Sequence, residues 1–88
     1  MNHRHRKVLH ALFADPIPNN LSMKEVEGVL GELGAILENR HGSRIAVTLQ
    51  DKTVVVHHAG HALPKDEVVQ IRRFLESCTI DPARDYPL

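Results

Sequence analysis

Two short stretches hold the residue types that chemistry requires. His57-His58-Ala59-Gly60-His61 puts three imidazoles within five residues, and Gly60 lets the backbone turn sharply between them. Imidazole titrates near neutrality, so such a cluster can accept and return protons at physiological pH. Gly42-Ser43-Arg44 is the second stretch, a small flexible turn that delivers an arginine. Its guanidinium can hold a phosphate through two parallel N–H bonds and offset negative charge developing on the phosphoryl oxygens. Against these readings, histidines in an exposed loop and an arginine on a strand's open face are ordinary surface residues. Three close histidines also raise zinc, yet the paired Cys spacing of a structural zinc site is missing and no metal is expected. The N-terminal residues His3, Arg4, Arg6 and Lys7 would either follow a nucleic-acid backbone or simply solubilise the terminus. Cys78 reads as a small core residue and Glu25 as a helix cap.

These residues need elements to place them. In residues 3–14, Val8, Leu9, Leu12 and Phe13 form a helical stripe with a basic opposite face, and Asp15-Pro16-Ile17-Pro18 then stops the helix. The proline linker makes this helix an appendage to the rest of the chain. A second helix begins at Ser22, with Glu25 completing a capping box and Leu21 and Val26 a hydrophobic staple, and it ends at Gly34. Gly28 and Gly31 weaken it and suggest close packing against a neighbour. Ala35 to Glu38 is a short strand followed by turn residues Asn39 to Gly42. In Arg44 to Gln50, Ile45, Val47 and Leu49 alternate with polar or small residues, the period of a half-buried strand. Asp51-Lys52 makes a tight turn, and Thr53 to His57 returns as its hairpin partner. Pro64, Asp66 and Glu67 open a last helix whose stripe is Val68, Ile71, Leu75 and Cys78, with Arg72, Arg73 and Glu76 solvated. Asp81-Pro82 ends it.

Composition narrows the classes. The chain has 88 residues, 42% of them hydrophobic and 25% charged, which describes one ordinary folded domain with no room for a deep substrate cavity. Phe13, Phe74 and Tyr86 are the only aromatics, so base-stacking platforms of the single-strand-binding kind are scarce. Eleven basic residues balance eleven acidic ones, and any attraction to nucleic acid must come from a local patch. Cys78 has no partner for an intramolecular disulfide. No apolar run approaches the ~20 residues of a membrane span and the N-terminus lacks a signal-peptide core, so a cytoplasmic protein without membrane attachment is expected.

The run from the capped helix ending in LGELGA, through NRHGSR and a hairpin, to VVVHHAGHALPKDEVVQIRRFLESCTI resembles the HicA family of bacterial toxins. On that resemblance residues 21–80 form the HicA-like domain, residues 1–20 a basic amphipathic helix with its proline linker, and residues 81–88 a tail. It implies an α+β fold of the double-stranded-RNA-binding-domain-like kind, α-β-β-β-α, with one extra N-terminal helix. It further implies a toxin component that binds and cleaves mRNA without a cofactor and is neutralised by a HicB-like antitoxin.

The family's second strand opens with Gly-Ser-His, and that histidine is catalytic. Here the residues are Gly42-Ser43-Arg44. Arginine stays protonated and cannot act as general base on a ribose hydroxyl. Two alternatives arise. In the first, cleavage has moved to nearby imidazoles: His57 or His61 acts as base or acid, Arg44 stabilises the phosphorane, and Ser43, His58 and Lys65 contact the RNA. Arg44 and His57 both alternate away from Ile45 and Val56, which predicts a shared sheet face. In the second, the domain binds RNA or protein without cutting. A metal-binding regulator built on His57, His58 and His61 is a third reading.

Overall fold

A computed structural model of the chain describes residues 1–88. It is an α+β fold whose elements run in the order α1 (His3–Leu12), β1 (Leu21–Ser22), α2 (Met23–Glu32), β2 (Ile36–Arg40), β3 (Arg44–Leu49), β4 (Lys52–His57), β5 (Ala62–Leu63), α3 (Lys65–Ser77) and α4 (Pro82–Asp85). None of the helices is long and apolar enough to cross a membrane.

β2, β3 and β4 form one antiparallel sheet in sequence order. Strand alternation sends Ile45, Val47, Leu49 and Val56 to one face, where they join Met23, Val26, Val29 and Leu30 of α2 and Val68, Ile71, Phe74 and Leu75 of α3 in a single aliphatic core. α2 lies against β2 and α3 against β4. The opposite face of the sheet is left open.

Each helix ends where local chemistry stops it. Ser22 caps α2, its Oγ accepting the Glu25 N–H at 3.4 Å. At the other end Gly34 takes φ +97°, and the Gly34 and Ala35 N–H groups close back onto Gly31 and Leu30, a Schellman ending. α3 ends the same way, with Thr79 at φ +60° in the left-handed position and Ile80 N–H on the Leu75 carbonyl. The helix therefore stops before Asp81-Pro82. Residues 82–85 then make a helical turn, α4, which Asp81 caps and which packs against α1. What reads in sequence as a tail is docked chain.

The strands run slightly differently from their sequence signals. β2 continues through Asn39 and Arg40, because Gly42 at φ +75° turns the chain within residues 41–43 and leaves Asn39 opposite Ile45 and Arg40 opposite Arg44. The β3–β4 turn is Gln50-Asp51, at φ 53° and 65°, with Lys52 already paired to Leu49. A two-residue hairpin turn of this twist needs positive φ at both central positions, and it forms one residue earlier than Asp51-Lys52. β5 pairs with β1, Leu63 opposite Leu21, and ties the loop after β4 to the start of α2.

The first helix is no appendage. Val8, Leu9 and Leu12 are buried, the two leucines completely, and α1 contacts both α2 and α3. Arg72 is not solvated; it reaches across from α3 and donates to the Leu12 and Ala14 carbonyls, each at 2.7 Å, satisfying the orphan acceptors at the end of α1. Gly28 permits the α1–α2 approach, since a Cβ there would lie 3.1 Å from the His5 ring, whereas Gly31 faces open space. Cys78 is buried, as its place in the stripe suggests.

Leu9→Ala should therefore lower the unfolding free energy by about 2–5 kcal/mol, the usual cost of emptying a buried leucine site. Urea denaturation measures it. A loss below about 0.5 kcal/mol, typical of surface positions, would mean that α1 lies outside the cooperative core.

Candidate nucleic-acid interface

The open sheet face brings together two of the residues singled out in the sequence, Arg44 and His57. Arg44 opens β3 and stands directly opposite Arg40 on one side and His57 on the other. Side chains directly opposite in antiparallel strands share a face, so Arg40, Arg44 and His57 form a row across all three strands at one end of the sheet. All three are exposed. The next rows, Glu38-Ala46-Val55 and Ile36-Thr48-Thr53, carry one charge between them. The positive charge is concentrated at the turn end.

Each member of the row is held by a contact to a residue outside it. Arg44 Nε donates to the His41 carbonyl at 2.9 Å, which anchors the guanidinium and leaves both terminal nitrogens for a ligand. Arg40, His41, Arg44 and Val55 line a recess of about 250 Å³ on this face. Arg40 pairs with Glu38 at 2.7 Å, but Arg44 has no carboxylate partner. Like charges directly opposite one another repel, and here Glu38 offsets Arg40 while the His41 carbonyl holds Arg44. A bound anion would relieve that repulsion. His57, its ring 60% exposed, has Nδ1 3.4 Å from Oε1 of Glu67 at the start of α3.

The other expected site residues stand elsewhere. Ser43 lies in the exposed turn beside Arg44, its carbonyl accepting the His58 N–H at 3.0 Å. His58 turns its Nδ1 to the Gly60 carbonyl at 2.8 Å, and with His61 it lines a different recess of about 580 Å³, shared with Lys24, Glu27 and Asn39. That recess abuts the N-terminus of α2, where the Met23 and Glu25 N–H groups are already taken by the His61 carbonyl and Ser22 Oγ. Lys65 is exposed at the first position of α3 and lines neither recess. The three histidines of the turn therefore do not act at one point, and no group of three or more His, Cys, Asp or Glu side chains is arranged to hold a metal ion. Arg40, His41 and Glu67 are absent from the sequence-based site. Extending β2 to Arg40 would have found the first; Pro64 marks the Glu67 carboxylate as lacking its usual capping partner, but nothing local names His57 as the partner it meets.

Half of the basic face of α1 is spent on the fold, since Arg4 and Arg6 have partners within the chain while His3 and Lys7 have none. Arg4 makes two bonds of 3.1 Å to Glu25, and His5 pairs with Glu32. The Glu25 carboxylate, expected as the returning half of a capping box, goes to this arginine instead. The bonds raise Arg4 above its ordinary value and hold Glu25 below the usual carboxylate range.

Comparison of the chain with protein-family models, with curated proteins and with solved structures gave no match. The chemistry of the site rests on its own geometry.

Two outcomes test this geometry. Arg44→Thr should raise the unfolding free energy by up to about 1 kcal/mol, more at low salt than at high salt, because it removes an opposed like-charge pair; a loss of stability would show that the row is not under repulsion. The Glu25 carboxyl should titrate below the ordinary glutamate range in carbon-detected NMR, and Arg4→Ala should return it there. A group depressed on folding contributes above its ordinary value and loses that contribution as pH falls through the depressed one. The α1–α2 bridge should therefore hold at neutral pH and open under acid. An unmoved Glu25 in Arg4→Ala would rule out the bridge.

Proposed function

We propose that this chain is a HicA-like toxin component, an RNA-binding domain of the double-stranded-RNA-binding-domain-like kind that cleaves mRNA at the row Arg40-Arg44-His57. The observation that carries the reading is the register that sets Arg44, free of any carboxylate, directly beside His57 on an open sheet face. In support, α2, β2, β3, β4 and α3 follow one another with both helices on one side of the three-stranded sheet, the short β1–β5 pair being an addition to the α-β-β-β-α order that the resemblance implies.

The mechanism derives from the two side chains. RNA lies across the row with a phosphate on the terminal nitrogens of Arg44, an arrangement arginine favours by its planar fork. His57 takes the proton of the 2′-hydroxyl, and the 2′-oxygen attacks the adjacent phosphorus. The P–O5′ bond breaks, the leaving 5′-oxygen takes a proton from solvent at this open face, and a 2′,3′-cyclic phosphate and a 5′-hydroxyl remain. Arg44 offsets the charge on the phosphorane. His61, on the other recess, takes no part in this scheme, and Ser43 supplies a neighbouring contact to the backbone. His58 and Lys65 lie off the row and would meet only a longer RNA. A HicB-like antitoxin would neutralise the toxin by covering the row.

Incubation of the purified protein with mRNA tests the assignment. Wild type should give fragments ending in cyclic phosphate, undiminished by a chelator. His57→Ala should slow cleavage about 10²- to 10⁴-fold, the usual contribution of a general base, and Arg44→Ala should weaken both binding and cleavage. Undiminished cleavage by both variants would eliminate the site. RNA binding lost in Arg44→Ala, with no cleavage by wild type, would leave a noncatalytic RNA-binding domain.

A further inference from the structure

Glu67 is chemically out of place beside a phosphate-binding row. Its side chain is 13% exposed, its Oε1 lies 3.4 Å from His57 Nδ1, and its Oε2 is buried with no hydrogen-bond partner. A face built only to bind RNA gains nothing from a half-desolvated carboxylate behind its histidine, since that charge repels phosphate and costs desolvation. A site that moves protons does gain.

The sequence around Glu67 explains why its carboxylate is available. Glu67 is the third residue of α3, where a glutamate normally turns back to the N–H of the N-cap residue. The N-cap here is Pro64, which has no N–H. The carboxylate is left without its usual local partner and meets the end of β4 instead. Asp66, one position earlier, carries the same charge in the same helical turn but is exposed and makes no contact with His57.

Resting on the reading of His57 as general base, we infer that Glu67 is its positioning residue. The carboxylate accepts the proton on Nδ1 and so holds the neutral ring in the Nδ1–H tautomer. Nε2 is then left unprotonated, as the atom that takes the ribose proton. A ring nitrogen's protonation is set by the hydrogen bond its partner nitrogen makes, which is how a buried carboxylate prepares a histidine base in hydrolases. At 3.4 Å the two groups are in ion-pair contact without an aligned hydrogen bond, and catalytic bonds that are long or poorly aligned in a free protein commonly close when substrate binds.

Nitrogen-15 NMR of the histidine side chains, on the full chain at a pH where imidazole is neutral, reads the tautomer directly. Wild-type His57 should show the Nδ1–H form, Glu67→Ala should revert it toward the Nε2–H form common in free histidine, and Asp66→Ala should leave it unchanged. A wild-type His57 in the Nε2–H form overturns the inference, whether or not the variants fold. The kinetic counterpart is a fall in kcat of about a hundredfold in Glu67→Ala with KM little changed, and no such fall in Asp66→Ala. Equal losses in the two variants would reduce Glu67 to a helix-terminal charge and overturn its positioning role. The correct tautomer without any RNA cleavage would instead refute the nuclease reading and leave the Glu67–His57 contact standing.

Discussion

Burial of Ile45, Val47 and Leu49 beneath α2 and α3 pins β3 between its two neighbours, and the rest of the molecule takes its positions from that strand. The side-chain period of a strand is two, so these three residues cannot face the core unless Arg44 faces away from it. With β3 fixed, its partners bring Arg40 and His57 to the same end of the same face. A slip of one residue would bury the arginine and expose the core. The cost of that slip keeps Arg40 and Arg44 directly opposite each other despite their like charge.

Outside the core, the fold relies on side chains that reach across to unpaired carbonyls. Arg72 satisfies the end of α1, while Gln50 and Lys52 of the β3–β4 hairpin donate to the Cys78 and Ser77 carbonyls at the end of α3. Each bond joins a helix's orphan acceptors to another element, so capping and tertiary docking are one event. The acids of α2 do the same for the N-terminal half of α1 through Arg4 and His5. Cations that a reading of composition would assign to RNA are thereby divided. Arg4, His5 and Arg72 join helices to one another or to neighbouring carbonyls and Arg40 pairs with Glu38, whereas Arg44 at the start of β3 has no carboxylate partner.

The division bears on how a neutral chain could act on a polyanion. Net charge is zero, and no long-range field favours RNA. What the sheet offers is local: a guanidinium without a carboxylate, oriented by a backbone carbonyl, next to an imidazole. On the proposed function such a site would work at short range, through bidentate bonds and proton transfer, more than through attraction at a distance. In the mechanism proposed above Glu67 belongs to this short-range design, because a carboxylate there would hinder phosphate binding and serve a histidine that exchanges a proton.

Local rules in the sequence were enough for the α+β class, for α1, α2, α3 and the strands β2, β3 and β4, and for most of their ends, but not for β1, β5 or α4. Ser22 and Gly34 bracket α2 by capping chemistry, and alternation in β3 already separates Ile45 from Arg44. Because Arg44 and His57 flank a short hairpin, their shared face was legible as well. Three things were decided only by tertiary structure. Whether a stripe of Val8, Leu9 and Leu12 packs on its own domain depends on a complementary surface some distance along the chain, which no local pattern encodes. The fate of His61 depended on β5 pairing with β1, a two-residue ladder too short to leave a period, which draws the loop toward α2 and away from Arg44. Glu67 reached His57 because α3 packs along β4 while Pro64 denies the carboxylate its ordinary partner. The proline is visible in the sequence; the histidine that takes its place is supplied by the fold.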